Sequence, residues 1–207
     1  MADWRDSLGE WGAAWAAVRD REAAADAGLV TVAGDPAEVI FAWPDEAAAQ
    51  HAATSAPGTP LRLVTDDADG ATAFAASQGW TPAGTLVLLS ARTEDLDLVP
   101  SLPAEANIAE APMENYDAVE VAVFDRPAAA GRIRLGDGLA VLAGLRVEDG
   151  HDEFVDRFEQ AMVASLGEEA FLHGADVLYL VAEPAQAARF AAVDGWERVA
   201  EILGFTR

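Results

Sequence analysis

Apolar positions along the chain follow two rhythms, one of three to four residues and one of two. Trp4, Leu8, Trp11, Trp15 and Val18 are spaced by four, three, four and three. This single stripe predicts an amphipathic helix whose tryptophans are core. Ala23 to Ala27 extend it, and Gly28 is expected to stop it. Short β-rich runs follow at residues 29–32 and 38–43, then an Ala-rich helix at 45–53 that ends before Pro57-Gly58. A strand at 61–64, a helix at 68–78 closed by Gly79 and a strand at 85–89 complete the first half. Residues 93–103 hold two prolines and a cluster of acids and read as a linker. The expected division is residues 1–95, a linker at 96–104, and residues 105–207.

The second half opens with a strand at 107–109 and a polar turn through Glu114-Asn115-Tyr116. Residues 119–124, 129–135 and 139–147 predict three strands, joined by Asp125-Arg126-Pro127 and Gly136-Asp137-Gly138 into an antiparallel meander. Phe154, Phe158, Met162, Val163 and Leu166 give helical periodicity up to Gly167. A strand at 177–181, a helix at 184–193 closed by Gly195 and a strand at 199–205 finish an order of ββββαβαβ.

The halves repeat each other. Leu61-Arg62-Leu63-Val64 matches Leu178-Tyr179-Leu180-Val181, and Phe74-Ala75-Ala76-Ser77-Gln78-Gly79-Trp80 matches Phe190-Ala191-Ala192-Val193-Asp194-Gly195-Trp196. The loop between the matched segments is one residue shorter in the second copy. A strand, a helix, Gly-Trp and a further strand occurring twice point to duplication of one fold rather than a solenoid.

Composition narrows the function. Apolar residues make up 52 % of the 207, enough for a core, and the net charge is −23. Residues 1–100 hold 16 acids and 5 arginines, and residues 101–207 hold 20 and 8, so the charge is spread rather than gathered in a tail. Such a surface repels phosphate backbones, which argues against nucleic acid, and attracts a cationic small molecule or protein. With no cysteine and three scattered histidines, a metal site is not expected. All 13 basic residues are arginine, which points to a high-GC coding bias, the alternative being avoidance of lysine modification or mimicry of an acidic nucleic acid. No run approaches the roughly 18 to 20 apolar residues of a membrane span, and the first residues do not resemble a signal peptide. A cytoplasmic protein without membrane contact is therefore expected. An exposed sheet edge or the Trp-bearing helix could support a homodimer.

The ββββαβαβ order of residues 105–207, with the helix ending in Gly195-Trp196, resembles the GNAT N-acetyltransferase superfamily; residues 28–91 match it in part. The resemblance implies an α/β fold, a GNAT-like mixed central sheet flanked by helices, in two related halves. It also implies a cofactor, acetyl-CoA, whose pantetheine arm lies between the strand at 139–147 and the strand at 177–181. Backbone groups of Leu145 and Val147 would carry that arm, and Gly150 and Arg157 would meet the diphosphate. The catalytic candidates are Glu183 and Glu120 as bases and Tyr179 as an acid.

The residues at these positions argue against ordinary acetyl transfer. The expected diphosphate loop, residues 148–157, holds one glycine, five carboxylates and one arginine, whereas an anion site at a helix N-terminus needs bare amides. Its carboxylates read instead as helix caps, and Arg157 reads equally well as a partner of Glu153 or Asp156. Where the family commonly has a tyrosine four residues before the Gly-aromatic pair, this chain has Ala191, and where an asparagine often precedes that helix it has Ala185. The sequence therefore supports two readings. One is a GNAT-like binding or regulatory module with weak or no catalysis; the alternative is an acetyl-CoA-dependent N-acyltransferase acting on a cationic amine.

Overall fold

A computed structural model describes residues 3–56 and 58–207. The first helix, α1 (Leu8–Val18), carries the predicted stripe: Trp11 and Trp15 are buried, and Trp4, in the turn before it, accepts a bond from the Trp11 indole at 2.9 Å. It stops earlier than the alanine run suggests. Asp20 takes a positive φ and the Arg21 amide turns back to the Ala16 carbonyl, a left-handed helix end. Ala23–Asp26 then forms β1, paired antiparallel with β2 (Leu29–Val32) across Ala27-Gly28, both at positive φ. Such a tight turn suits a hairpin, and pairing overrides alanine's preference for helix.

The rest of the first half is β3 (Glu38–Ala42), α2 (Glu46–Thr54), β4 (Leu61–Thr65), α3 (Ala68–Ser77) and β5 (Thr81–Arg92). Then follow β6 (Ala106–Pro112), β7 (Asp117–Val123), β8 (Arg126–Leu135), β9 (Leu139–Val147), α4 (Val155–Leu172), β10 (Val177–Ala182), α5 (Pro184–Phe190) and β11 (Glu197–Thr206). The meander and the ββββαβαβ order are as expected. Two helix ends differ. α4 runs past Gly167 because that glycine is a packing position: a Cβ there would lie 2.7 Å from Leu98 Cδ2. α5 ends at Phe190 because the next amides bond three residues back, Ala192 to Arg189 and Val193 to Phe190, tightening the last turn.

Among the described residues, the eleven strands form one mixed sheet, ordered β1-β2-β3-β4-β11-β5-β10-β9-β8-β7-β6. β3 and β4 are parallel, as are β9 and β10. The closing strand of each half sits against the other half: β5 pairs antiparallel with β10, β11 pairs antiparallel with β4, and β5 and β11 pair with each other in the centre. The order reads the same from both ends, apart from the extra β6.

α1 lies against one face and touches β1, β2 and β3 as well as β8 and β9, so the sheet bends around it. Polar bonds fasten it to the second half: Arg132 donates to the Val18 carbonyl at 3.0 Å, and Glu10 Oε1 accepts from the Asp137 amide at 3.0 Å. The opposite face carries two further cores. One joins α4 and α5 to Leu89, Leu142, Leu178 and Leu180; the other joins α3 to Phe41, Leu63 and Leu203. At roughly 1.5–3 kcal/mol per fully buried large side chain, these cores hold the strand ends where the chemistry below is found. Among the described residues, no helix is long and apolar enough to cross a membrane.

Candidate functional site

The two parallel crossings are the places where strands come apart or close, and they are built differently. β9 and β10 pair from Leu139 and Val177 to Ala143 and Val181. Beyond that, Arg146 and Val147 remain paired to β8, while β10 ends at Ala182 and the chain turns into α5. Gly144, at φ +66° with no atom within 4 Å of a Cβ position, makes the bend, a left-handed conformation that costs other residues about 1–2 kcal/mol.

A side-chain cluster stands at the mouth of this gap. Gln186 Nε2 donates to the Leu145 carbonyl at 3.1 Å and to Glu159 Oε1 at 2.7 Å. Arg189 Nη2 donates to both Glu159 oxygens at 2.7 and 2.8 Å, and Arg189 Nε lies 3.0 Å from Asp156. Glu159 is only 4 % exposed, and a buried carboxylate is tolerated where partners satisfy its lone pairs. The carbonyl of β9 nearest the gap is thus capped from within the chain.

At the other crossing no gap opens. The Trp43 amide bonds the Val64 carbonyl at 2.8 Å, one step past the last paired residues Ala42 and Val64. Arg5 covers the end, donating to the Trp43 carbonyl at 3.3 Å and pairing with Asp66 at 2.8 Å. Trp43 stacks on Phe74 of α3 at 4.2 Å. At the opposite end of β3, Glu38 is 3 % exposed and meets Arg19 at 2.8 Å, Arg21 at 3.1 Å and Arg62 at 2.8 Å. Burial alone would raise the Glu38 pKa, but Arg19 and Arg62 outweigh it and hold the carboxyl below its ordinary range. Burial also lowers the Arg19 pKa, against the pull of Glu38.

The sequence-predicted site residues are dispersed. Glu183 is the exposed residue that opens α5 and makes no side-chain capping bond. Tyr179 is 2 % exposed on the α1 face, its hydroxyl 3.1 Å from Ser7 Oγ, and burial raises its pKa. Glu120 is exposed on β7. That strand is three places from β10 in the sheet, about 14 Å at the usual spacing, so the three catalytic candidates are not brought together. Leu145 and Val147 do line the diverging edge of β9. Gly150 lies in the loop at φ +91°. Arg157 faces neither Glu153 nor Asp156: it donates to the Ser101 and Leu102 carbonyls at 3.3 and 3.1 Å, fastening residues 101–102 to α4. The loop carboxylates do not cap α4 either, whose N-cap is Phe154 without a side-chain bond.

Sequence reasoning missed Gln186, Glu159 and Arg189. A signal existed for one of them, because Glu159 sits inside the apolar stripe Phe158, Met162, Val163 and Leu166, where a lone charge implies a buried partner. These groups do not fit an acyl-CoA. The resemblance gives its arm backbone groups of Leu145 and Val147, of which Gln186 holds the Leu145 carbonyl, and its diphosphate would meet a loop of five carboxylates whose one arginine is turned to backbone carbonyls.

Beside the cluster a groove of about 520 Å³ runs between α4, the turn after α5 and residues 95–101. It continues toward Glu159 and Arg189 as a recess of about 290 Å³.

No family model matches the sequence, and no curated protein does. Solved structures do match. A GCN5-related N-acetyltransferase from Kribbella flavida is similar at a TM-score of 0.63 and 17 % identity, over 97 % of this chain and 93 % of that one. A GCN5-related N-acetyltransferase-like protein from Streptococcus suis gives 0.56 and 10 %, over 96 % and 94 %. A tandem GNAT protein from the clavulanic acid biosynthesis pathway gives 0.53 and 14 %, over 86 % and 77 %. The fold expected from the sequence is the fold of these proteins.

Proposed function

We propose that this chain, which has the GNAT N-acetyltransferase fold, works as a binding or regulatory module with weak or no acetyl transfer. The observation that carries the reading is the Gln186 carboxamide on the Leu145 carbonyl, locked by Glu159 and Arg189. Displacing it would strip a buried carboxylate of a partner, and a charged hydrogen bond of this kind is worth about 1.5–3 kcal/mol. An incoming cofactor would have to supply that energy while its phosphates faced the acidic loop. Fold alone does not supply activity.

The test is a calorimetric titration of acetyl-CoA into the wild-type protein and into Gln186→Ala, at low and physiological salt. The expected result is no saturable binding to the wild type at millimolar cofactor. Saturable binding near the micromolar range, about −8 kcal/mol, would overturn the reading and favour the alternative, an N-acyltransferase whose amine substrate is drawn in by the negative field. Binding that appears only in Gln186→Ala would identify the carboxamide as the obstacle.

A further inference from the structure

We infer that the groove between α4, the turn after α5 and residues 95–101 is a binding site for a small organic cation with an apolar body, such as a protonated arylalkylamine. The inference rests on the reading of the chain as a binding module. Three features carry it.

The first is size and enclosure. At about 520 Å³ the groove falls in the range of small-molecule sites, and it is walled on three sides. Arg157, through its bonds to the Ser101 and Leu102 carbonyls, fixes one wall. Gly195 fixes another: at φ +94°, its Cβ position is 3.1 Å from the Asp95 carbonyl, so only glycine lets the turn approach the 95–97 segment this closely.

The second is an apolar floor. Leu96, Val163, Phe190, Val193 and Trp196 line the groove, with the Phe190 and Trp196 rings edge to face at 5.7 Å. Val193 and Val99 are 37 % and 75 % exposed, so apolar surface faces water where a ligand's body would cover it.

The third is the sign of the charge. The groove passes at the Trp196 end into a recess of about 310 Å³ lined by Asp95, Asp194 and Glu197. None of these three carboxylates makes a side-chain hydrogen bond or ion pair among the described residues. The one arginine of the larger groove is committed to backbone carbonyls. A protonated amine would enter the recess while its ring system lay on the floor, and a cation beside an aromatic ring gains further. An anion of the same shape would be repelled by the recess and by the net charge of −23.

The experiment titrates three probes of one shape, 2-naphthylmethylamine, 2-naphthylmethanol and 2-naphthoate, into the full chain. Calorimetry gives affinity, and amide NMR shifts of residues 193–197 give location. The amine is expected to saturate, the alcohol to bind about tenfold more weakly and the acid not to bind. Asp95→Asn, Asp194→Asn and Glu197→Gln combined should bring amine and alcohol to similar affinity, and Val193→Trp, which fills the groove, should abolish both. Equal affinity of amine and alcohol for the wild type, shifts elsewhere in the chain, or no saturation by the amine would each overturn the inference. Because acetyl-CoA is titrated separately, a chain that ignores both ligands loses this site and keeps the module reading. A chain that binds acetyl-CoA loses the module reading whatever the amine does.

Discussion

The two parallel crossings occupy matching places in a sheet whose order reads alike from both ends, yet they solve opposite problems. At β3 and β4 the ladder is carried one bond further by Trp43, and the strand ends are sealed by Arg5. At β9 and β10 the strands part at Gly144, and a side-chain cluster fills the mouth. Counting back from the matched Phe74 and Phe190, the positions of Gln186 and Arg189 are Gly70 and Ala73 in the first half. The first crossing has no gap and no groups to fill one. Its polar investment lies at the other end of β3, where Glu38 gathers three arginines; the matching position in β9 is Leu139, an ordinary core residue. The two halves thus share the strand pattern, while each places its buried charge where its own strands need holding.

The comparison is most sharply tested at Glu38. Glu38→Ala leaves three arginines around an empty site and is expected to cost about 3 kcal/mol by urea denaturation, the lower end for a broken buried pair because the arginines are partly exposed. Since the folded pKa is depressed, the stabilisation is full above the unfolded carboxyl value of about 4.3 and is lost as pH falls through the folded one. Removing the carboxylate should flatten that acid limb; an unchanged limb would mean that other carboxylates govern acid unfolding. Glu159→Gln should cost less, about 2 kcal/mol, because only one arginine loses a partner there, and Arg189 keeps its ion pair with Asp156 at 3.0 Å. A loss as large as at Glu38 would erase the distinction between the crossings. Gly144→Ala should cost about 1–2 kcal/mol from backbone conformation alone, since its Cβ position is open. A smaller loss would mean that the bend is not imposed by that residue.

Periodicity made most elements legible, and the Phe…Gly-Trp repeat exposed the relation between the halves, because both signals arise from local burial. The strand exchange was not legible. Leu61 pairs with Phe205 and Leu178 with Ala91, and nothing in either segment specifies a partner so distant. The Ala23 to Ala27 run misled because turn geometry and pairing outweigh a propensity of tenths of a kcal/mol. Of the candidate site, the edge at Leu145 and Val147 and the acidic loop could be found by resemblance. The Gln186–Glu159–Arg189 cluster could not, because its members meet only after α4 and α5 pack on the same face.

The exchanged closing strands also set a clock on synthesis. β4 reaches the ribosome exit long before β11, which shields its edge and begins only at Glu197. Until residues 197–206 have been made, Leu61–Thr65 presents unpaired amides and carbonyls, the kind of edge at which chains join one another. From the making of β4 to the making of β11 a growing chain therefore carries an open seam, and whatever guards it must act before β11 arrives.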